Sequence, residues 1–184
     1  MSNSYAQPVL RTADLSKGLR IVERLLAIAD TSELEVDFEA LVYSAAYLPT
    51  LVDVLPDAEW WAEGDGGAWG LVNNPSAHSV ARLRSWANPP GLVQRFLKAV
   101  GDSPAIVRWD FTGWPEAPAV GLGESGTRGA YVTLCAYARD LELEEPAADH
   151  SVFVHFKEID AERGPWLAYQ IGLRVLGDPV MAPY

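Results

Sequence analysis

After Ser103 the apolar residues of this chain change their spacing, and that change constrains the fold more than any other feature. Upstream they recur at helical intervals. Leu15, Leu19, Val22, Leu26 and Ala29 step by four and three, which predicts a helix over 15–29. Leu92, Val93, Phe96, Leu97 and Val100 form a second stripe, and Gly101 suits its C-terminal end. Downstream the interval becomes two. Residues 105–111 read as a strand. Val132, Leu134, Ala136 and Ala138 then alternate with Tyr131, Thr133, Cys135 and Tyr137, and 151–159 gives a further strand. A bend near 138–140 would bring Leu141 and Leu143 into the buried set. Helices and strands that segregate along the chain indicate an α+β fold: N-terminal helices with a β-hairpin, then a C-terminal antiparallel meander packed against them.

Two segments carry both periods. In 33–48, Glu33, Glu35, Asp37 and Glu39 alternate with Leu34, Val36 and Phe38, as in a half-buried strand. Ser32 and Glu35 also make a capping box, and Leu34, Phe38, Leu41, Val42 and Ala45 keep helical spacing, which favours the helix. In 166–176 the alternation of Leu167, Tyr169, Ile171 and Leu173 favours a strand, with Gly172 set against the helical alternative. Pro49 ends a helix or opens a short turn through Leu55. Trp60 and Trp61 begin a hairpin that turns on the glycines of E-G-D-G-G. Asn74-Pro75 predicts a short helix running to Trp86, with Val80, Leu83 and Ala87 on its buried side. Residues 1–12, polar at their start and broken by Pro8, read as a loose arm on one domain spanning 1–184.

The net charge of −11 disfavours nucleic acid as a partner and favours basic proteins. No apolar run reaches the ~20 residues of a membrane span, and the N-terminus lacks the basic start and apolar run of a secretory signal. One cysteine, Cys135, makes no internal disulfide, so the expected location is cytoplasmic. Its apolar neighbours predict burial rather than reactivity.

Chemical motifs are sparse. G-L-G-E-S-G at 121–126 matches a dinucleotide fingerprint in letters, but a strand follows it where that site needs a helix. His78, Asp102 and Ser125, the last within G-E-S-G, have an order that resembles chymotrypsin-like serine peptidases. Only G-E-S-G and P-S-A-H-S carry the resemblance. Glu124 and Thr127 stand where that family has aspartate and glycine, and its nearly all-β fold does not suit the helical first half. A triad is defined by geometry and not by order. His150, His155 and Glu158 lack metal-ligand spacing, so neither a metal nor another cofactor is expected.

The strongest pointers are charge and tryptophan. Asp140, Glu142, Glu144 and Glu145 read as an acidic row on a strand, about 6.8 Å apart at alternate positions. Asp53, Asp57, Glu59, Glu63 and Asp65 add acid around the hairpin. Of the seven tryptophans most should fill the core, with Trp60 or Trp61 and the loop residue Trp114 as exposed anchors. These features predict a binding protein for a basic partner rather than an enzyme as the first reading, in the manner of toxin-neutralising immunity proteins or inhibitors, with enzymatic activity left open. The partner-binding residues would be Trp60, Trp61, Trp114, Asp140, Glu142, Glu144 and Glu145. The alternative is a small-molecule-binding protein or hydrolase-type enzyme with an aromatic-lined pocket, using Asp110, His155 and Glu158 for acid–base work.

Overall fold

The computed structural model describes residues 4–64, 67–126 and 129–182. Within them lie four α-helices and a nine-stranded sheet in which every neighbouring pair is antiparallel. The strands are β1 (Ser4–Thr12), β2 (Glu35–Val42), β3 (Glu59–Glu63), β4 (Trp69–Leu71), β5 (Ala81–Asn88), β6 (Ala105–Asp110), β7 (Tyr131–Ala136), β8 (His150–Lys157) and β9 (Val180–Met181). The helices are α1 (Leu15–Leu26), α2 (Leu48–Val54), α3 (Val93–Val100) and α4 (Arg163–Gln170). The sheet order is β4-β3-β5-β2-β6-β7-β8-β1-β9. The α+β class and the β6–β7–β8 meander agree with the sequence pattern. The expected separation of helices from strands does not, because β1 precedes the first helix and β2 to β5 alternate with helices.

One face of the sheet carries the main core. Val36, Phe38, Ala40 and Val42 of β2, Val107 and Trp109 of β6, and Val132, Leu134 and Ala136 of β7 are all buried there. Helix α1 packs over β7, β8 and β1, α3 over β2 and β6, and α4 over β8 and β1, while α2 lies against α3. Phe38 and Phe96 meet with ring centroids 4.4 Å apart, so β2 and α3 are joined at the centre of this core. Asp14 caps α1 by accepting the Lys17 N–H at 3.1 Å.

Four expectations are overturned here, each for a local reason. Residues 4–12 are not a loose arm but strand β1, paired with β8 and β9. Pro8 sits beside a β-bulge, which places both Val9 and Leu10 in the main core. Residues 35–42 form a strand, not a helix. Ser32 makes no cap: its Oγ lies 2.9 Å from Thr112 Oγ1, which also accepts the Glu33 N–H at 3.0 Å. Residues 81–88 are strand β5, and only Pro75–Ala77 make a helical turn, of the 3-10 type. Residues 163–170 are helix α4, not a strand. Gly172, with φ of +70°, is its C-terminal stop: its N–H bonds Tyr169 O at 2.9 Å and the Leu173 N–H bonds Ala168 O at 2.8 Å. At the other end of α4, a Cβ on Gly164 would fall 2.5 Å from Phe156 Cε1, so the helix sits on β8 through a bare backbone.

The second face of the sheet is covered only in part. Ala6, Ile106, Cys135 and Phe153 make a smaller core there with Ala138, Leu141, Leu143 and Ala182. The alternating pattern puts Ala138 on the same strand face as Ala136. It joins the opposite face because Tyr137 takes φ of +53° and turns the chain at that point. The segment from Tyr137 to Ala147 thus folds back over the sheet, and Leu141 and Leu143 become buried as the predicted bend requires.

Candidate functional site

Beside that folded-back segment the second face stays open, and its side chains are charged. The register stacks them in rows across the sheet. Glu35, Asp110, Tyr131 and His155 stand side by side on β2, β6, β7 and β8. Asp37, Arg108, Thr133 and Phe153 form the next row. Glu59, Arg84, Glu39 and Ile106 follow, running from β3 to β6. A cleft of about 260 Å³ opens over the last two rows.

The cleft is organised by ion pairs that span the strands. Glu39 on β2 accepts from both Arg82 and Arg84 on β5, and Asp37 on β2 is paired with Arg108 on β6. Asp37 also accepts the Ala87 N–H at 3.0 Å, where β5 kinks at a positive φ. Such half-buried pairs in a fixed lattice lose less to solvent screening than isolated surface pairs do. Aromatic rings flank them. The Arg84 guanidinium lies 5.7 Å from the Trp61 ring and that of Arg108 5.3 Å from the Tyr131 ring, both in cation–π range. Trp86, next in line after Arg82 and Arg84 on β5, is 50% exposed at the cleft wall.

His155 closes the floor. It is buried, and its Nε2 lies 2.8 Å from Thr133 Oγ1. Burial, reinforced by Arg108, pushes its pKa down to about 3, so the ring is neutral near pH 7. Asp110 is pushed up to about 6, first by burial and then by Asp37 and Glu35, against the pull of Arg108. Tyr131 separates the two in their row, and two strand spacings are about 9.6 Å. Glu158 is exposed in the turn Glu158–Asp160 after β8 and does not line the cleft. The three acid–base candidates are therefore not brought into one constellation.

The predicted partner-binding residues divide. Trp114 is not an exposed anchor: it is 1% exposed, edge-on to Phe111, and its Nε1–H donates to His155 O at 2.8 Å. Trp60 is buried and Trp61 faces the charged rows, as expected for neighbours on a strand. The acidic row is not a strand. Asp140 Oδ2 accepts the N–H groups of Glu142 at 3.3 Å and Glu144 at 2.9 Å, and Oδ1 accepts that of Glu145 at 2.8 Å. Leu141 and Leu143 point inward, while the side chains of Glu142, Glu144 and Glu145 are exposed. Arg82, opposite Trp61 on β5, donates to Glu142 O at 3.3 Å. The Trp61 hairpin and the acidic loop thus meet around one arginine. Asp65 and Thr127 lie outside the described residues.

The other motifs are occupied locally. Asp102 accepts from Tyr47 Oη at 3.0 Å, Ser125 Oγ accepts the Trp114 N–H at 2.7 Å, and His78 follows the 3-10 turn before β5. They do not assemble as a triad. Cys135 is fully buried, and burial raises its pKa far above the ordinary thiol range. Among the described residues, no three His, Cys, Asp or Glu side chains are grouped to hold a metal ion, and no helix is long and apolar enough to cross a membrane. Arg82, Arg84 and Arg108 are the site residues the sequence reading missed. The available signal was R-L-R-S-W at 82–86, which alternates charge with burial as a strand does.

No protein-family model, curated protein sequence or solved structure matches this chain. Function is therefore read from the site itself.

Proposed function

We propose that this chain is a binding protein that recognises a basic protein partner through the acidic loop and the tryptophan-rimmed edge of the open sheet face. The observation that carries the reading is the Asp140 hub. One carboxylate takes three backbone N–H groups, holds Leu141 and Leu143 against the sheet, and leaves Glu142, Glu144 and Glu145 in solvent. Carboxylates displayed by a fixed backbone lose little conformational freedom on meeting a cationic surface. Trp86 and Trp61 supply rigid aromatic area beside them, the residue type that most often dominates binding energy. The −11 charge adds long-range attraction for a cationic protein. A protein that neutralises a basic toxin, as immunity proteins do for nucleases, has this electrostatic character, and an inhibitor of another basic enzyme is the neighbouring case.

The test begins with capture of partners by the tagged protein at low and high salt, followed by binding kinetics with whatever basic protein co-elutes stoichiometrically. Reversing two charges, Glu142→Lys with Glu144→Lys, should slow association about tenfold at low salt and change dissociation much less. Trp86→Ala should act mainly on dissociation. An association rate that ignores the double reversal, or a partner as acidic as this chain, would overturn the reading.

A further inference from the structure

The cleft has chemistry that the acidic rim does not use. On its floor three guanidiniums, from Arg82, Arg84 and Arg108, face two carboxylates, Asp37 and Glu39. Glu142 gives Arg82 its backbone carbonyl and keeps its side chain in solvent. The cleft lining therefore holds three positive and three negative side chains, with Glu142 the exposed member, inside a protein of net charge −11. The pairing also leaves donors over. Arg82 spends Nε and Nη2 on Glu39 and Glu142, Arg84 spends Nη2 on Glu39, and Arg108 spends Nη2 on Asp37. Among the described residues no acceptor meets Nη1 of any of the three.

Thr133 and His155 also line the cleft, and the remaining wall is apolar. Ile106 and Leu141 close one side and the half-exposed Trp86 ring the other. We propose that this cleft binds a small organic monocarboxylate with an apolar or aromatic body, its carboxylate on the arginines and its body against Trp86, Ile106 and Leu141. The arginine side chains are fixed by their existing pairs, so the free Nη1–H groups are presented without further ordering, as charge-assisted donors to a carboxylate. A volume of about 260 Å³ lies just below the usual range for drug-sized ligands and suits a molecule of roughly ten heavy atoms. The negative field of the whole protein works against multiply charged anions such as phosphate. This site does not depend on the protein-partner reading and stands or falls separately from it.

The experiment is an NMR titration of the full chain, following the indole N–H of Trp86 and the arginine side-chain N–H signals. The probes are phenylacetate and isovalerate, with benzyl alcohol and inorganic phosphate as controls. The expected result is saturable, cleft-confined shifts with either carboxylate at a Kd of about 1 mM or tighter. Benzyl alcohol and phosphate should bind at least about tenfold more weakly. Arg108→Gln and the more exposed Arg84→Gln should each weaken phenylacetate about tenfold, while Lys98→Gln on α3, away from the cleft, should leave it unchanged. Should Arg108→Gln fail to fold, Arg84→Gln carries the test alone. No saturation below about 50 mM, equal binding of benzyl alcohol, or unchanged affinity in the folded arginine variants would overturn the proposal and leave the arginines as purely structural ion pairs.

Discussion

The two faces of the sheet are made by the same strands and solve burial differently. On β2, Val36, Phe38, Ala40 and Val42 enter a core roofed by helices, while Asp37 and Glu39, one residue away each time, lie in a lattice of arginines. The helical face excludes water by area and shape. The other face is held by directed pairs, and the apolar patch on it needs a folded-back loop to cover it. The first arrangement is specified by size and hydrophobicity, and the second by register, because a slip of one residue would exchange charge for core. The helical face is thus built to be closed, whereas the other keeps a cleft and exposed aromatics that can meet something else.

This contrast breaks most visibly at Phe38. It lies 1% exposed beneath Phe96, and truncation removes both its burial and its ring partner. Phe38→Ala should cost about 3–5 kcal/mol of unfolding free energy, read from urea denaturation. A loss below about 1 kcal/mol would mean that this core can collapse around the gap and is less tightly packed than the structure implies.

The open face should respond more mildly, and at a hydrogen-bond hub rather than an apolar one. Asp140→Ala removes the shared acceptor of three solvent-accessible N–H groups and releases Leu143, which is buried at a positive φ of 63°. The expected loss is about 1–3 kcal/mol. Amide exchange should accelerate across 138–147 while α1 and α3 stay protected. Uniform acceleration would show that the two faces unfold as a single unit and that the distinction drawn between them has no dynamic counterpart.

The helical face was also the more legible one in sequence, but unevenly. α1, α3 and the β6–β8 meander declared themselves, because each has one period and a clear stop such as Gly101. β2 and β5 did not, since Leu34, Phe38 and Leu41, or Val80, Leu83 and Ala87, fit a helical stripe as well as an alternating one. What decided them is non-local: Asp37 finds Arg108, and Glu39 finds Arg82 and Arg84, across strands 43 to 71 residues apart in sequence. Gly172 hides α4 in the sequence, because a glycine that stops a helix looks there like one that interrupts it. The acidic loop was visible as composition, but its geometry was not, because the chelating role of Asp140 requires the backbone to curl. The cleft arginines were invisible for the same reason as β5, for without the strand they have no common face.

The smallest effect sharpens the comparison through pH. Asp110, at the edge of the charged rows, titrates near 6 in the folded protein, raised from an ordinary 3.8. The folded state therefore binds the extra proton between those values, so stability from this group is full below about 3.8 and is lost as pH rises through 6. His155 acts in the opposite direction. Its folded value near 3 lies below its ordinary 6.5, so the protein loses stability as pH falls through that window. The two slopes oppose each other between pH 4 and 6 in the natural chain. Asp110→Asn removes one and leaves the other. Relative to the natural chain the variant should gain stability steadily from pH 4 to 6 and hold a constant advantage above that. The gain should stay under about 1 kcal/mol because the carboxyl is partly open to solvent. Urea midpoints at pH 4, 5, 6 and 7 would read it. A difference that is flat with pH would mean that Asp110 is ordinary and that the charged rows impose no electrostatic strain. A difference of the opposite sign would mean that Arg108 stabilises the carboxylate, so that Asp110 belongs with Asp37 and Glu39 among the satisfied members of the lattice.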